Sequence, residues 1–477
     1  MELSPPEPPT IITARFKSDS GEDIGSTLNL PFDITVEQLG LVCNALLQNE
    51  KPLPYLFFVN EVEINKKLSN SIDLSSFDTE GVLDIVYQEQ AIFKVRPVSR
   101  CTSSLPGHAE AVISLSFGPQ GDKLASGSGD TTVRLWDILT QTPLNVCKGH
   151  RQWVLCVSWS PCGTKLASGC KAGEIRLWNP ETGQQVGKTL IGHKQYITSL
   201  SWEPYHSNPD CRLLASSSKD TDVKIWDTVL CQHIMTLSGH VQAVTTVKWG
   251  GLGLLYTGSH DREIKIWRAK DGILCRTLKG HAHWVNSLAL NTDYVLRTGP
   301  FHPVMDKNVK ITDKNVLKQL AQERFSSICS DYETLVSCSD DFTLYLWTTN
   351  KSKCVARLTG HQNVVNDVKF SPDVRLIASA SFDKSVRLWN AIDGKFIATL
   401  RGHVQAVYSI AWAADSRLLV SGSADSTLKV WSVPNKKLEM DLPGHADDIY
   451  AVDWSTDGLK VASGGKDKVL RLWQLDR

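Results

Sequence analysis

Histidine and aspartate recur together along this 477-residue chain, and such pairs can relay protons in enzymes. Eight Gly-His pairs occur, and in seven cases an aspartate follows at a fixed distance before a tryptophan. A buried histidine whose two ring nitrogens are both hydrogen-bonded also holds a repeat together. Because the pairs are so numerous and regular, we predict a structural role. The histidines are His108, His150, His193, His240, His281, His361, His403 and His445, and the aspartates are Asp130, Asp220, Asp261, Asp341, Asp383, Asp425 and Asp467.

The elements that position these pairs follow from the tryptophans. Each Gly-His pair is followed by an alternating stretch that ends in a tryptophan, and the pairs are usually 41 to 43 residues apart. This period is typical of WD repeats. The sequence therefore predicts a mainly β protein with an eight-bladed WD-repeat β-propeller of four strands per blade. The tryptophans are Trp136, Trp178, Trp226, Trp267, Trp347, Trp389, Trp431 and Trp473.

Two repeats depart from the pattern. The second has Ala172 where the aspartate is expected, so we expect its hydrogen-bond network to be incomplete and that blade to be locally weaker. In the fifth, 80 residues separate its Gly-His pair from the next. The excess lies at about 299–331, and apolar residues at helical spacing within 313–325 predict a loop with a short helix that protrudes from one face.

Closure of the ring needs one more strand, because the chain stops shortly after Trp473. The segment 91–98 alternates apolar and basic residues, and we predict that it supplies the outer strand of the last blade. The propeller would then span residues 91–477.

Residues 10–90 lack the WD pattern. Strands are predicted at 11–17, 24–30, 55–59, 61–64 and 82–87, and a helix begins near Asp33 with Thr35 and Gln38 as a capping box. This order predicts a ubiquitin-like β-grasp (α+β) domain. The Pro-rich residues 1–9 are expected to form a disordered tail.

Charge separates the two parts. Residues 1–90 carry 15 acidic and 5 basic side chains, a net charge of −10, and the remainder carries the compensating +10. Opposite charges suggest two surfaces for two kinds of partner. Without a secretion signal, an apolar run of membrane length or a C-x-x-C pair, we expect no membrane association and a reducing compartment. Cys156, Cys162 and Cys170 are interpreted as small core residues rather than metal ligands.

We expect the propeller to bind through the face that carries the residues just after Gly-His and just before the turn aspartate. Cations and aromatic rings at these positions suit RNA phosphates or acidic protein tails. Trp153 and Trp284 are candidate exposed anchors, although each ring could instead pack against a neighbouring blade. No phosphate-binding loop or nucleophile motif is present, so we expect no enzyme. The candidate residues are Arg151, Trp153, Lys171, Tyr196, Lys219, His260, Trp284, Phe382 and Lys466.

The repeats, the segment LGLVCNALLQNEKPLPYLFFV (39–59) and the segment YQEQAIFKVRPVSRCTSSLPGH (87–108) together resemble the Notchless family. The resemblance implies an assembly factor of the large ribosomal subunit in the nucleolus and nucleoplasm, acting as a monomer. It implies that the ubiquitin-like domain binds the metal-ion-dependent adhesion (MIDAS) domain of midasin, a giant AAA-type ATPase, and that the propeller docks on the pre-60S particle.

The same resemblance implies one metal contact. In the family an acidic residue of the ubiquitin-like domain completes the coordination of the MIDAS Mg²⁺, and here that residue would be Glu80, with Asp78 as the second choice. The chain would need no cofactor of its own. Two alternatives remain open: a signalling scaffold of the Notch pathway that binds a receptor tail, and a substrate receptor of a ubiquitin ligase.

Overall fold

The computed structural model describes residues 11–18, 23–47, 55–59, 62–64, 67–68, 82–89, 98–301, 313–329 and 331–474. The chain divides into two compact units, residues 1–94 and 95–477. The predicted tail 1–9, the candidate metal ligands Glu80 and Asp78, and residues 91–97 lie outside the described residues. No helix within the described ranges is long and apolar enough to cross a membrane.

The N-terminal unit is a mixed five-stranded sheet with one helix. Its strands have the order β2-β1-β5-β3-β4, and β1 and β5 run parallel, as in a β-grasp fold. Leu39 and Cys43 of the helix join Phe16 and Phe57 of the sheet in the core. The elements are β1 (Ile11–Lys17), β2 (Asp23–Pro31), α1 (Val36–Leu47), β3 (Tyr55–Val59), β4 (Val62–Glu63) and β5 (Leu83–Glu89).

The predicted capping box opens α1. The Gln38 N–H donates to Thr35 Oγ1 at 3.4 Å, and the Thr35 N–H donates to Gln38 Oε1 at 3.1 Å. Each side chain therefore satisfies a backbone donor that the first helical turn leaves free.

The described residues of the second unit form eight four-stranded antiparallel sheets, numbered here in chain order. Sheet 1 consists of β7 (Val112–Phe117), β8 (Lys123–Ser128), β9 (Val133–Asp137) and β10 (Thr142–Cys147); sheet 2 of β11 (Val154–Trp159), β12 (Leu166–Cys170), β13 (Glu174–Trp178) and β14 (Leu190–Ile191); sheet 3 of β15 (Ile197–Trp202), β16 (Leu213–Ser218), β17 (Val223–Asp227) and β18 (Gln232–Leu237); sheet 4 of β19 (Val244–Trp249), β20 (Leu254–Ser259), β21 (Glu263–Arg268) and β22 (Leu274–Lys279). Sheet 5 consists of β23 (Val285–Leu290), β24 (Thr334–Ser339), β25 (Leu344–Thr348) and β26 (Cys354–Leu358); sheet 6 of β27 (Val365–Phe370), β28 (Leu376–Ser381), β29 (Ser385–Asn390) and β30 (Phe396–Arg401); sheet 7 of β31 (Val407–Trp412), β32 (Leu418–Ser423), β33 (Thr427–Ser432) and β34 (Lys437–Pro443); sheet 8 of β35 (Ile449–Trp454), β36 (Lys460–Gly465), β37 (Leu470–Gln474) and β6 (Arg100–Leu105). The first strand of each sheet packs against that of the next, and β35 packs against β7, which makes the ring of a propeller.

The predicted histidine network joins the strands and the turn of each sheet through hydrogen bonds. In sheet 1, His108 Nδ1 lies 2.8 Å from Asp130, His108 Nε2 lies 2.8 Å from Ser126 Oγ, and Trp136 Nε1–H donates to that oxygen at 2.9 Å. Sheets 3 to 8 repeat the arrangement, with His–Asp distances of 2.7 to 3.0 Å. Sheet 2 has the serine and tryptophan contacts but lacks the aspartate.

The electrostatics of these pairs fit a structural role. Burial alone would raise the pKa of Asp261, but hydrogen bonds from His240 and from backbone N–H groups outweigh it and lower the pKa to about 2. The carboxylate therefore stays ionised inside the fold and holds its histidine in one orientation.

The strand that closes the ring is not the predicted one. Strand β6 at Arg100–Leu105 pairs with β37 in sheet 8, with Leu105 opposite Leu470 and Cys101 opposite Trp473. The prediction of 91–98 was wrong because it relied on apolar–basic alternation. Spacing is the better guide: β6 ends two residues before Gly107, just as β10 ends two residues before Gly149.

The insertion occupies residues 291–333, between β23 and β24, so it begins earlier than the predicted 299. It contains α2 (Asp293–Thr298) and α3 (Lys314–Ile328), and α3 confirms the predicted helix. The helix packs on the propeller through Ala321 and Phe325, which are buried, whereas Val316 is 39% exposed. Phe325 is 4% exposed and stacks on His206, with ring centroids 4.5 Å apart.

Helix α2 lines a cavity of about 310 Å³ at the centre of the ring. Arg297 makes a two-pronged contact with Asp453 of β35, with Nη1 and Nη2 at 2.9 and 2.5 Å from the carboxylate oxygens. Lys248 of β19 binds Asp293 at 2.9 Å. The insertion is therefore tied to opposite sides of the ring.

We predict that Arg297→Met lowers the free energy of unfolding of the propeller by about 3 kcal/mol, because the Asp453 carboxylate, 6% exposed, loses its cation. Denaturation followed by tryptophan fluorescence measures this. Lys314→Met removes an exposed ion pair and should cost at most about 1 kcal/mol. The double variant Arg297→Met, Asp453→Asn should lose less free energy of unfolding than the two single variants lose in sum. Losses that simply add would contradict the pairing.

Candidate docking surface

One face of the propeller carries every predicted binding residue of that unit. Because the strands of each sheet are antiparallel, the turn between its second and third strands lies at the same end as the connection from the previous sheet. The Gly-His pairs lie in these connections, and the aspartates lie in these turns. We call this end the Gly-His face.

Three positions per sheet form the surface of the Gly-His face. The first is the third residue after the histidine, and the second is the residue before the aspartate. Their backbones are joined, as in the Lys171 N–H that donates to the Trp153 carbonyl at 2.9 Å and the Lys219 N–H that donates to the Tyr196 carbonyl at 3.1 Å. The third position is a β-bulge in the first strand.

The bulges were missed by the sequence analysis. In sheet 7 the register shifts between Val407 and Ser409, so Tyr408 is left out of the ladder. A bulge re-aims one side chain and breaks the period-two pattern that the prediction assumed. The sign of the bulge in the sequence is that two apolar residues of the strand, Val407 and Ile410, lie three residues apart rather than two, and both are buried. The bulge residues are Ile113, Leu155, Thr198, Thr245, Asn286, Asn366, Tyr408 and Tyr450.

The two candidate anchor tryptophans are half exposed, at 49% for Trp153 and 43% for Trp284. Each also packs against a neighbour on one side of its ring. Lys171 Nζ lies 5.0 Å from the Trp153 ring centroid, and His260 stacks on Trp284 at 4.2 Å with an angle of 14° between the rings. Both interpretations of these tryptophans are therefore partly right: each indole packs against neighbouring residues and is still about half exposed.

Sheet 3 repeats the pairing of a cation with a ring. Lys219 Nζ lies 5.2 Å from the Tyr196 ring centroid, and Arg151 of the neighbouring connection is exposed. A cation over an aromatic face keeps its charge while its stem is held in place. Within the described residues, Arg151, Lys171 and Lys219 are not in ion pairs. Sheets 2 and 3 therefore present cations without a described ion-pair partner beside aromatic rings.

The opposite arc of the Gly-His face differs. Phe382 packs edge-on against Tyr408, which packs against Tyr450, with centroids 5.6 Å apart in both contacts. Lys466 is paired with Asp447 at 3.2 Å, so its charge is compensated. Arg151, Trp153, Lys171, Tyr196 and Lys219 thus form one cluster, and Phe382 and Lys466 lie in another.

Comparison with known proteins agrees with this architecture. The NLE (NUC135) domain model matches residues 12–72. The WD domain, G-beta repeat model matches seven stretches and leaves out residues 269–351, where the insertion splits sheet 5. The matched stretches are 99–137, 141–179, 184–227, 231–268, 352–390, 394–432 and 436–474.

Individual relatives match about three quarters of the chain. Protein Notchless of Drosophila melanogaster is 65% identical over 371 residues, which cover 77% of this chain and 76% of that protein. Ribosome assembly protein 4 of Saccharomyces cerevisiae is 46% identical over 394 residues, covering 77% and 75%. The crystal structure of the computationally designed Ika8 protein aligns with a TM-score of 0.63 at 25% identity, covering 79% of this chain and 100% of that one.

The mainly β fold, the WD repeats and the N-terminal NLE domain that the sequence predicted are thus confirmed. With 65% identity over three quarters of both chains, the protein belongs to the Notchless family.

Proposed function

We propose that this chain is a non-enzymatic adaptor in the assembly of the large ribosomal subunit, acting in the nucleolus and nucleoplasm. The observation that carries the proposal is its 46% identity, over 77% of the chain, to a relative named for ribosome assembly. Its propeller docks on the pre-60S particle, and its N-terminal unit binds the MIDAS domain of midasin. Pulling by the ATPase through this contact then remodels or releases assembly factors.

The cluster on sheets 2 and 3 supports docking on RNA phosphate or acidic protein. Lys171 and Lys219 are positioned by the rings beneath them, and no described carboxylate neutralises them. Positive charge that is already oriented gains more from a phosphate than charge that must first be ordered. The exposed half of Trp153 offers a base or an apolar side chain a surface to contact.

We predict that Trp153→Ala combined with Trp284→Ala weakens association with pre-60S particles by at least about tenfold, because aromatic anchors dominate such interfaces. Co-sedimentation of the full chain with purified particles measures this.

The matched control is Leu139→Ala combined with Ile392→Ala. These apolar side chains are more exposed than the two tryptophans, at 76% and 69%, but they lie in turns between third and fourth strands at the opposite end of the sheets. The control should sediment as the unchanged protein does. If both double variants co-sediment with the particles as well as the unchanged protein does, the Gly-His face is excluded as the docking surface.

The N-terminal contact rests on the family resemblance and on the chemistry of Mg²⁺. Asp84 of the described sheet already has partners, because it accepts from Lys17 Nζ at 2.6 Å and from Arg15 Nη2 at 2.9 Å. The hydrogen bond from Lys17 is the main reason that the pKa of Asp84 is lowered. Glu80 remains the proposed ligand. Mg²⁺ takes oxygen ligands in a tight octahedron, and one carboxylate from a partner can fill its open position.

We predict that Glu80→Ala abolishes binding to the MIDAS domain, with at least about a hundredfold loss, because the ion loses a charged ligand. Glu80→Asp should also bind poorly, since a side chain one methylene shorter cannot reach an octahedral position about 2.1 Å from the ion. Pull-down with the isolated MIDAS domain and Mg²⁺ measures both.

Glu37→Ala is the matched control, because it removes the same charge from an exposed position in the first turn of α1. It should bind normally. Normal binding by Glu80→Ala would overturn the assignment. Normal binding by Glu80→Asp would show that the length of the side chain does not limit its contact with the ion.

A further inference from the structure

Sheet 2 departs from the other sheets at two positions around its histidine. The position two residues before the turn aspartate is serine in sheets 1 and 3 to 7 but cysteine in sheet 2. The aspartate is replaced by alanine, and a glutamate follows two residues later, as Glu263 does in sheet 4. In sheet 1 these positions are Ser128, Asp130 and Thr132, and in sheet 2 they are Cys170, Ala172 and Glu174.

The loss of the aspartate leaves His150 with one nitrogen unpartnered. His150 is 5% exposed, and its Nε2 lies 2.6 Å from Ser168 Oγ. Its Nδ1 is buried and has no hydrogen-bond partner among the described residues. A neutral imidazole nitrogen is a metal ligand.

Two further donor groups lie close to this imidazole. A ring nitrogen of His150, Cys170 Sγ and a carboxylate oxygen of Glu174 all lie within 4.8 Å of one another. Because Ser168 Oγ contacts Nε2, Nδ1 is the ring nitrogen left to bind an ion. Cys170 is fully buried, and the Glu174 side chain is 13% exposed. Donors around a tetrahedral zinc ion are roughly 3.5 Å apart, so small rotations of the side chains would bring these three to ligand distances.

We propose that sheet 2 contains a zinc site in which His150 Nδ1, the Cys170 thiolate and the Glu174 carboxylate bind one Zn²⁺, with water as the fourth ligand. This replaces, for Cys170, the interpretation from sequence as a small core residue. Nitrogen, sulfur and oxygen donors in a tetrahedral arrangement suit zinc. The ion replaces the thiol proton of Cys170, which is released to solvent, so one proton leaves for each zinc bound.

The surroundings are compatible with this ion. When Nδ1 binds zinc, the His150 Nε2–H donates to Ser168 Oγ, and this outer contact fixes the ring. Arg176 now pairs with Glu174 at 3.3 Å, but its Nη1–H also donates to Gln185 at 2.6 Å, so it keeps a partner when the carboxylate turns to the metal. The zinc gives sheet 2 the cross-link that an aspartate gives the other seven.

The test is a zinc titration of the full chain after treatment with a chelator, followed by calorimetry with metal analysis. We expect one Zn²⁺ per chain, retained in the presence of excess Mg²⁺, and a higher melting temperature. Co²⁺ in place of Zn²⁺ should give a thiolate-to-metal charge-transfer absorption band.

Two substitutions remove ligands by restoring residues that the other sheets use. Cys170→Ser matches Ser128, and Glu174→Thr matches Thr132, so both variants should fold. Each should weaken zinc binding by at least about tenfold, and Cys170→Ser should remove the charge-transfer band. Cys338→Ala, at a buried cysteine of sheet 5, is the control and should bind zinc normally. Failure to bind one zinc, or unchanged binding by Cys170→Ser, would overturn the proposal.

Discussion

A buried histidine in each sheet holds the propeller together, and the surface that it presents depends on that histidine. In sheet 7, Trp431 N–H donates to Ser421, whose hydroxyl faces His403 Nε2, while His403 Nδ1 faces Asp425. One chain of hydrogen bonds thus joins the third strand, the second strand, the incoming connection and the turn. Because both ring nitrogens are used, the imidazole can be buried without the cost of an unsatisfied polar group.

The same network explains why binding residues and structural residues alternate so closely. The Asp425 carboxylate also accepts the Val404 N–H, which fixes the backbone just after the histidine. The neighbouring side chains then point outward at defined places on the Gly-His face. A sheet can therefore vary these outward residues while its histidine network stays constant, as Tyr196 in sheet 3 and Trp284 in sheet 5 show.

Local patterns predicted much of this chain, and contacts distant in sequence account for what they missed. The Gly-His and tryptophan spacing predicted the sheets, and Thr35 and Gln38 predicted the start of α1, because these signals act within one repeat or one helical turn. The closing strand was misplaced since its partner β37 lies about 370 residues further along the chain. The packing of α3 depends on Gly251, where a Cβ atom would lie 2.1 Å from the Phe325 ring, and no pattern in the insertion reveals that space. At the candidate site, sequence identified Trp153 but could not show that Lys171 would cover one side of its ring.

We propose that the N-terminal unit binds a partner's metal ion through one carboxylate and that the propeller binds the pre-60S particle. The most direct measurement is a structure of the full chain bound to an isolated MIDAS domain with Mg²⁺. The account predicts a Glu80 carboxylate oxygen about 2.1 Å from the ion, in its sixth coordination position. A complex in which another residue or water holds that position, with Glu80 facing solvent, would contradict it.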